Sequence, residues 1–130
     1  MKRIVVEIGA GELLDRLSIV EIKTRHAHGE AARRLLAERD DLRRAAGGAG
    51  LLTAEFEAAL ADLRAVNETL WTVEDEIRGC EADCDFGHRF VGLARAVYTN
   101  NDRRWRIKRR IDERYGSAVA EEKIYSRARP

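Results

Sequence analysis

The chain has 130 residues, about the length of one ordinary domain, and its 24 lysines and arginines almost cancel its 23 aspartates and glutamates, leaving a net charge of +1. This balance argues against a generally basic nucleic-acid-binding protein and against an acidic disordered segment. One proline and an aromatic content of 6% favour long helices over a β-sandwich or a β-barrel, so composition predicts a mainly α-helical protein.

The first predicted element is a short arm. Residues 4–8 are mostly β-branched, which predicts a strand or an extended arm within residues 1–10, interrupted by Gly9-Ala10-Gly11. The beginning of the chain is too acidic, and its apolar stretch too short, for a secretory signal. No apolar run approaches the roughly 20 residues of a membrane span. We therefore expect a cytoplasmic protein with no membrane partner.

Two helices are predicted next. From Glu12 onward, apolar residues recur at steps of three and four, which is helical periodicity, and this first helix is predicted to end near His28-Gly29. A second helix is predicted from about residue 30 to residue 45. The sequence Gly47-Gly48-Ala49-Gly50 is the clearest break in the chain and separates this pair of helices from the rest.

Two long helices complete the predicted elements. Thr53 is a candidate N-cap for the third helix, whose apolar seam spans residues 59–77. That helix has about 28 residues, or ~40 Å at ~1.5 Å per residue. Residues 80–87 end it, and the fourth helix carries an apolar seam over residues 90–111 until Gly116.

The short connection between the two long helices predicts an antiparallel hairpin. Burial of the one-sided seams then gives a three- to four-helix bundle, a single helical domain over residues 1–130 with a C-terminal tail over residues 117–130. Ile124 and Tyr125 indicate that this tail could pair with the N-terminal arm. Because a long hairpin with one-sided seams often recruits a second copy, we expect a homodimer.

A polar stripe borders the apolar seam of the third helix, and a second one borders that of the fourth. The first carries Asn67, Trp71, Glu74, Arg78 and Glu81, and the second carries Arg95, Tyr98, Asp102, Trp105 and Arg109. If the two stripes face each other in an antiparallel hairpin, they would line one cleft with aromatic, acidic and basic side chains, as in a binding site for a small polar ligand. The same side chains fit a dimer interface or a solvated ladder of ion pairs, and these alternatives stay open.

The other clusters of charged, cysteine and histidine residues do not predict a binding or catalytic site. Residues 103–110 hold six cations, but a helix spreads them around its cylinder, so a salt-bridged or solvated face is favoured over contacts to nucleic-acid phosphates. Cys80 and Cys84 are one pair without a second, which favours reduced thiols over a zinc site. His26 and His28 define no site by themselves. With no phosphate-binding glycine loop and no nucleophile elbow, no metal or cofactor is predicted and no catalytic residue is assigned.

Four segments carry a further resemblance. They are residues 11–23 (GELLDRLSIVEIK), residues 66–67 with 70–78 (VN and LWTVEDEIR), residues 98–104 with 107–108 (YTNNDRR and IK), and residues 116–117 with 121–125 (GS and EEKIY). In this order, over nearly the whole chain, they resemble a family of small bacterial proteins catalogued as a domain of unknown function. The resemblance brings no activity with it, but it implies a shortlist of ligand-binding residues: Glu12, Asp15, Lys23, Asn67, Glu74, Asp75, Arg78, Asp102, Arg103, Lys108, Glu121, Glu122, Lys123 and Tyr125.

Two functions follow as hypotheses. The first is a dimeric, non-catalytic helical module that binds a polar ligand or a protein partner. The alternative is an enzyme acting on an anionic small molecule, phosphorylated or carboxylated. Its acid–base or Mg²⁺-binding groups would be Glu74, Asp75 and Asp102. Its anion-binding groups would be Arg78, Arg103 and Lys108.

Overall fold

The computed structural model describes residues 1–126, and this part of the chain is all-helical. Its helices are α1 (Ala10–Thr24), α2 (Gly29–Gly48), α3 (Phe56–Ala82) and α4 (His88–Tyr115). The mainly α fold class is therefore confirmed. Residues 4–8 form an arm and no strand, and residues 127–130 of the predicted tail lie outside the described residues. No helix in residues 1–126 is both long and apolar enough to cross a membrane.

The two long helices form the predicted antiparallel hairpin. At its closed end, residues 83–87 make the turn between them. At its open end, the Thr53 hydroxyl lies 2.8 Å from the Tyr115 hydroxyl, and Arg114 donates a 2.9 Å hydrogen bond to Glu55, so the start of α3 lies beside the end of α4. Gly116 then stops α4 in the left-handed conformation, with φ of +64°, which glycine adopts without a steric penalty.

Three predicted boundaries are wrong. Helix α1 ends at Thr24 and not at His28-Gly29, because the Arg25 N–H already turns back to a carbonyl three residues earlier. Helix α2 continues through Gly48, so two of the glycines predicted to break it are helical. Thr53 is not the N-cap of α3, since the helix begins after Glu55 and the Thr53 carbonyl instead accepts the Phe56 N–H in the preceding turn.

The core lies at the open end of the hairpin, where α1 packs against both long helices. Leu14 and Leu17 of α1 are fully buried there, together with apolar side chains of α3 such as Phe56 and Leu60. Helix α2 contributes one buried residue, Ala46. Because α1 is much shorter than the hairpin, it covers only this end, and residues 88–106 of α4 contain no buried residue. A groove therefore lies beside the C-terminal half of α1, between this helix and the two long helices.

Candidate functional site

The beginning of α1 is held against the end of α4 by side chains that come from the other end of the sequence. The Asp112 carboxylate accepts a 2.8 Å hydrogen bond from the Gly11 N–H, and the Ser117 hydroxyl accepts one of 3.0 Å from the Ala10 N–H. These bonds satisfy two of the amide donors that a helix leaves free in its first turn. The preceding Gly9 has no side chain to cap them.

Glycine is required at two positions for this close approach. A Cβ on Gly9 would lie 2.2 Å from the Val119 carbonyl oxygen, and one on Gly11 would lie 2.6 Å from the Lys108 carbonyl oxygen. Both distances are far below van der Waals contact with backbone atoms. The Gly9-Ala10-Gly11 sequence therefore does more than end the arm, since it lets α1 touch α4 and the tail.

The close approach buries Lys108 among three carboxylates. Its side chain is 4% exposed, and its Nζ lies 2.8 Å from Glu12 Oε2, 2.8 Å from Glu121 Oε1 and 3.7 Å from Asp15 Oδ2. A buried ammonium is costly unless it is paired and hydrogen-bonded, and here each of its strong contacts comes from a different part of the chain. Lys108 thus joins α1, α4 and the tail.

A second set of hydrogen bonds extends this network to α3. The buried Asn67 amide donates to Asp15 Oδ1 at 2.9 Å and to the Ser18 hydroxyl at 2.7 Å, and that hydroxyl in turn donates to the Asp15 carbonyl at 2.7 Å. Arg104 Nε lies 4.0 Å from Asp15 Oδ1. The Asp15 carboxylate therefore accepts a hydrogen bond from the Asn67 amide and forms longer ion pairs with Lys108 and Arg104.

The network shifts the pKa values of its two best-paired members in opposite directions. Burial lowers the pKa of Lys108, but hydrogen bonds to Glu12 and Glu121 and the charge of Asp15 outweigh it, so the pKa lies above its ordinary value. The hydrogen bond from Lys108 lowers the pKa of Glu121, against a smaller opposing effect of burial. Both groups are therefore charged at neutral pH, and the network is structural at that pH.

The C-terminal tail lies along α4 through polar contacts. The Trp105 indole N–H donates to the Glu121 carbonyl at 3.0 Å, Arg109 donates to Glu122 at 3.3 Å, and Lys123 Nζ lies 2.9 Å from Asp102 Oδ1. Lys123 also lies over the Tyr125 ring, 5.7 Å from its centroid. The predicted pairing of the tail with the N-terminal arm is not formed, because the tail turns its polar groups to α4 and leaves Ile124 exposed.

The groove beyond α1 has a volume of about 440 Å³ and lies between α1, α3 and α4. Ile19 and Ile22 of α1 and Leu70 of α3 form an apolar floor. Trp71 forms one wall, and its ring stacks on His26 with centroids 4.6 Å apart and an angle of 16° between the planes. The polar lining residues are Lys23, Asn67, Glu74, Asp75, Arg78, Asn101 and Arg104.

Most of the charges in this groove have no partner. Within residues 1–126, the side chains of Lys23, Glu74, Asp75 and Arg78 make neither an ion pair nor a hydrogen bond. The ladder of ion pairs that the spacing of Glu74 and Arg78 allowed is therefore not formed. These groups leave both signs of charge available above an apolar floor.

The two polar stripes do not face each other across one cleft. The face of α4 turned to α1 and α3 carries Asn101, Arg104 and Lys108, at helical spacings of three and four. Trp105 and Arg109 lie on the neighbouring face, which the tail covers. Four of the five residues of the predicted α3 stripe line the groove, and Glu81 does not. The sequence pattern could not show which face of α4 the tail would occupy.

The residues implied by the resemblance divide into three groups and one outlier. The residues that line the groove are Lys23, Asn67, Glu74, Asp75 and Arg78. The buried network consists of Glu12, Asp15, Lys108 and Glu121, together with Asn67. The residues that make contacts of the tail are Asp102, Glu122, Lys123 and Tyr125. Arg103 is exposed, and in the part of the chain that the structure describes it makes no ion pair.

Four residues of these sites were not predicted from sequence. Ser18 and Asp112 are buried polar residues, Ser117 caps α1, and Arg104 joins the groove to the network. Ser117 lies in one of the segments that carry the resemblance but was not among its implied ligand-binding residues. For Asp112 the signal was the glycine pair ahead of α1, which marks a close backbone approach but not its partner. Ser18 and Asn67 are 49 residues apart in the chain, so no local pattern connects them.

In the part of the chain that the structure describes, the side chains do not fit a metal centre. No group of three His, Cys, Asp or Glu side chains within residues 1–126 is placed to hold a metal ion. Asp102, one of the three carboxylates of the Mg²⁺ hypothesis, pairs with Lys123 on the face covered by the tail, and Glu74 and Asp75 line the groove.

Comparisons with known proteins do not assign the chain to a family. No family model, no curated protein and no solved structure matches it. The resemblance carried by the four sequence segments therefore stays a prediction.

Proposed function

We propose that the protein is a non-catalytic binding protein that takes a small polar molecule into the groove between α1, α3 and α4, and that it acts as a homodimer. The observation that carries the proposal is the set of charges that have no partner within residues 1–126, with Lys23 and Arg78 positive and Glu74 and Asp75 negative, above an apolar floor. Concave sites of this size, mostly apolar with a few directed polar groups, are typical of small-molecule binding.

The charges indicate the class of ligand. A molecule with a single negative charge would be attracted by Lys23 and Arg78 but repelled by Glu74 and Asp75 on the same helix face. A molecule that carries charges of both signs, as a free amino acid does, finds partners for both. Trp71 offers an apolar and aromatic surface for the rest of such a molecule.

The enzyme hypothesis has less support. Its three anion-binding groups do not share a site, because Arg78 lines the groove, Arg103 is exposed elsewhere and Lys108 is already surrounded by carboxylates. Activity on an anionic small molecule stays an untested alternative.

The homodimer is supported by large apolar side chains that the single chain leaves exposed. They occur at the N-terminal arm, as Ile4, Val5 and Val6, and at the closed end of the hairpin, as Phe86 and Val91. Clusters of exposed apolar side chains of this kind mark interaction surfaces.

Ligand binding is tested with the intrinsic fluorescence of Trp71 in a Trp105→Phe chain, alongside thermal shift. The probes are the free amino acids, nucleoside monophosphates and small dicarboxylic acids. We expect at least one compound with charges of both signs to raise the melting temperature and change the Trp71 emission. Glu74→Gln and Arg78→Ala should each weaken that response on the order of tenfold, the loss of one charge-assisted contact.

The matched control is Glu76→Gln, which removes an exposed carboxylate of α3 that does not line the groove. It should leave the response unchanged. The proposal fails if none of the probes produces a response, or if Glu76→Gln weakens binding as much as Glu74→Gln does. A response to the dicarboxylic acids alone would favour the anionic-ligand alternative instead.

A further inference from the structure

The N-terminal arm is the most exposed apolar segment of the described chain. Ile4, Val5 and Val6 are 91%, 82% and 71% exposed. Within residues 1–126, the backbone N–H and C=O groups of residues 1–8 make no hydrogen bond to any other part of the protein. A β-branched segment with free backbone groups has the chemistry of an unpaired strand.

The side chains of the arm alternate with the period of a strand. In an extended conformation, Ile4, Val6 and Ile8 share one face, which is apolar over residues 4–8 and has Lys2 at its N-terminal end. Arg3, Val5 and Glu7 share the other, with a positive charge at one end and a negative charge at the other. A strand with this pattern buries one face and keeps its charges on the opposite side.

The charges make the arm complementary to a second copy of itself. When two arms pair antiparallel with Val5 at the two-fold axis, Arg3 of each copy lies opposite Glu7 of the other, and Ile4 lies opposite Val6. The symmetry forms the ion pair twice, and no like charges face each other in this register. Opposite charges at directly facing positions stabilise antiparallel pairs.

The base of the arm lies next to a cleft that is partly apolar. Ile8 and Gly9 line this cleft together with Val119 and Ala120 of the tail, and the side chain of Val119 is exposed. The other lining residues are the charged Glu12, Lys108, Asp112 and Glu121. A two-stranded ribbon alone is marginally stable in water and requires packing of its apolar face. The apolar part of this cleft, beside Gly9, provides a surface for such packing.

We propose that the N-terminal arm is a dimerisation strand, which pairs antiparallel with the arm of a second copy through Val5 and reciprocal Arg3–Glu7 ion pairs. This inference rests on the homodimer of the proposed function and names its interface. It does not depend on what the groove binds.

Sedimentation equilibrium of the full chain tests the proposal. We expect the parent to have twice the 14.7 kDa mass of one chain. The Val5→Pro/Val6→Pro chain removes an N–H from both edges of the strand and should be monomeric. Circular dichroism and thermal unfolding should show intact helices, because these side chains make no contact within the monomer core.

Charge reversal tests the register itself. Arg3→Glu and Glu7→Arg each place like charges opposite one another twice, so each should raise the dimer Kd by on the order of tenfold or more. An equal mixture of the two variants should associate as tightly as the parent, since every facing pair is then opposite in charge. Arg106→Glu, the same reversal at an exposed position of α4, is the control and should have no effect.

Three results would overturn the proposal. The parent chain could remain monomeric at about 100 µM, where even micromolar affinity gives a dimer. The proline chain could dimerise as tightly as the parent, which would place the interface elsewhere, such as the closed end of the hairpin. The mixture could associate no better than its components. Ligand binding by Trp71 fluorescence in the proline chain separates failure of this interface from failure of the groove.

Discussion

The Asp112 carboxylate near the end of α4 accepts a 2.8 Å hydrogen bond from the backbone N–H of Gly11, in the first turn of α1, across 101 positions of sequence. Helix α1 is therefore capped by another helix and not by the residue that precedes it. Because the capping bond, the buried network and the tail all meet at this point, the stability of the site and the stability of the fold are closely linked.

Asp112→Ala should lower the free energy of unfolding by about 1–2 kcal/mol, since it removes the cap and leaves a buried N–H without an acceptor. Urea unfolding followed by circular dichroism measures the change. Asp112→Asn keeps an oxygen in place and should lose less. If the Asp112→Ala and Asp112→Asn variants had equal free energies of unfolding, the capping hydrogen bond would not contribute to stability.

Alanine should have opposite effects at two helical glycines. Gly11→Ala forces a Cβ to within 2.6 Å of the Lys108 carbonyl oxygen, so α1 must move away from α4, and we expect a loss of more than ~2 kcal/mol. Gly92→Ala meets no atom within 4 Å and should stabilise α4 by up to ~1 kcal/mol, the difference in helix propensity. Thermal unfolding of both variants checks the signs, and equal effects would contradict the close approach.

The helices could be predicted from sequence because their signals are local. Apolar seams at steps of three and four predicted α3 and α4 with their ends within a few residues of those observed, and Gly116 marked the end of α4. The helix ends at Thr24 and Gly48 were missed because a frayed helix end and a glycine-containing turn have similar local energies. The last helical residue is therefore not fixed by the local sequence. Of the strand or extended arm predicted at residues 4–8, the structure has the arm, because a strand needs a partner, which a single chain does not supply here.

The site was predictable only where one helix holds it. The stripe from Asn67 to Arg78 lies on one face of α3, so its members reach the groove together. Lys108 was expected to bind a ligand, but it is held by Glu12 and Asp15 of α1 and by Glu121 of the tail, two elements that are distant from each other along the chain. Only tertiary packing decides whether a charged side chain meets a ligand or a neighbour.

Lys108→Met should be strongly destabilising, by about 3–5 kcal/mol, because the buried Asp15 loses its lysine and keeps only the Asn67 amide and the more distant Arg104. The Lys108→Met/Asp15→Asn chain should lose clearly less than the sum of the single variants, since it removes both members of the pair. Arg106→Met, an exposed cation of the same helix, is the control. Additive losses in urea unfolding would mean that the two groups do not interact.

Attachment of the tail should weaken in acid because Glu121 loses its charge there. Its pKa is lowered by the hydrogen bond from Lys108, so the contact stabilises the folded state above the ordinary glutamate value of about 4.3 and is lost as the pH falls through the lowered pKa. The raised pKa of Lys108 causes no loss below its ordinary value of about 10.4.

The measurement compares the parent with Glu121→Gln between pH 7 and pH 3, by urea unfolding and by the emission of Trp105 in a Trp71→Phe background. Trp105 reports on the tail because its indole N–H donates to the Glu121 carbonyl. We expect a stability difference at pH 7 that begins to shrink near the ordinary glutamate value of about 4.3 and disappears only below the lowered pKa of Glu121, where the parent glutamate is itself neutral. A difference that stayed constant over this range would show that Lys108 does not hold the tail through the Glu121 charge.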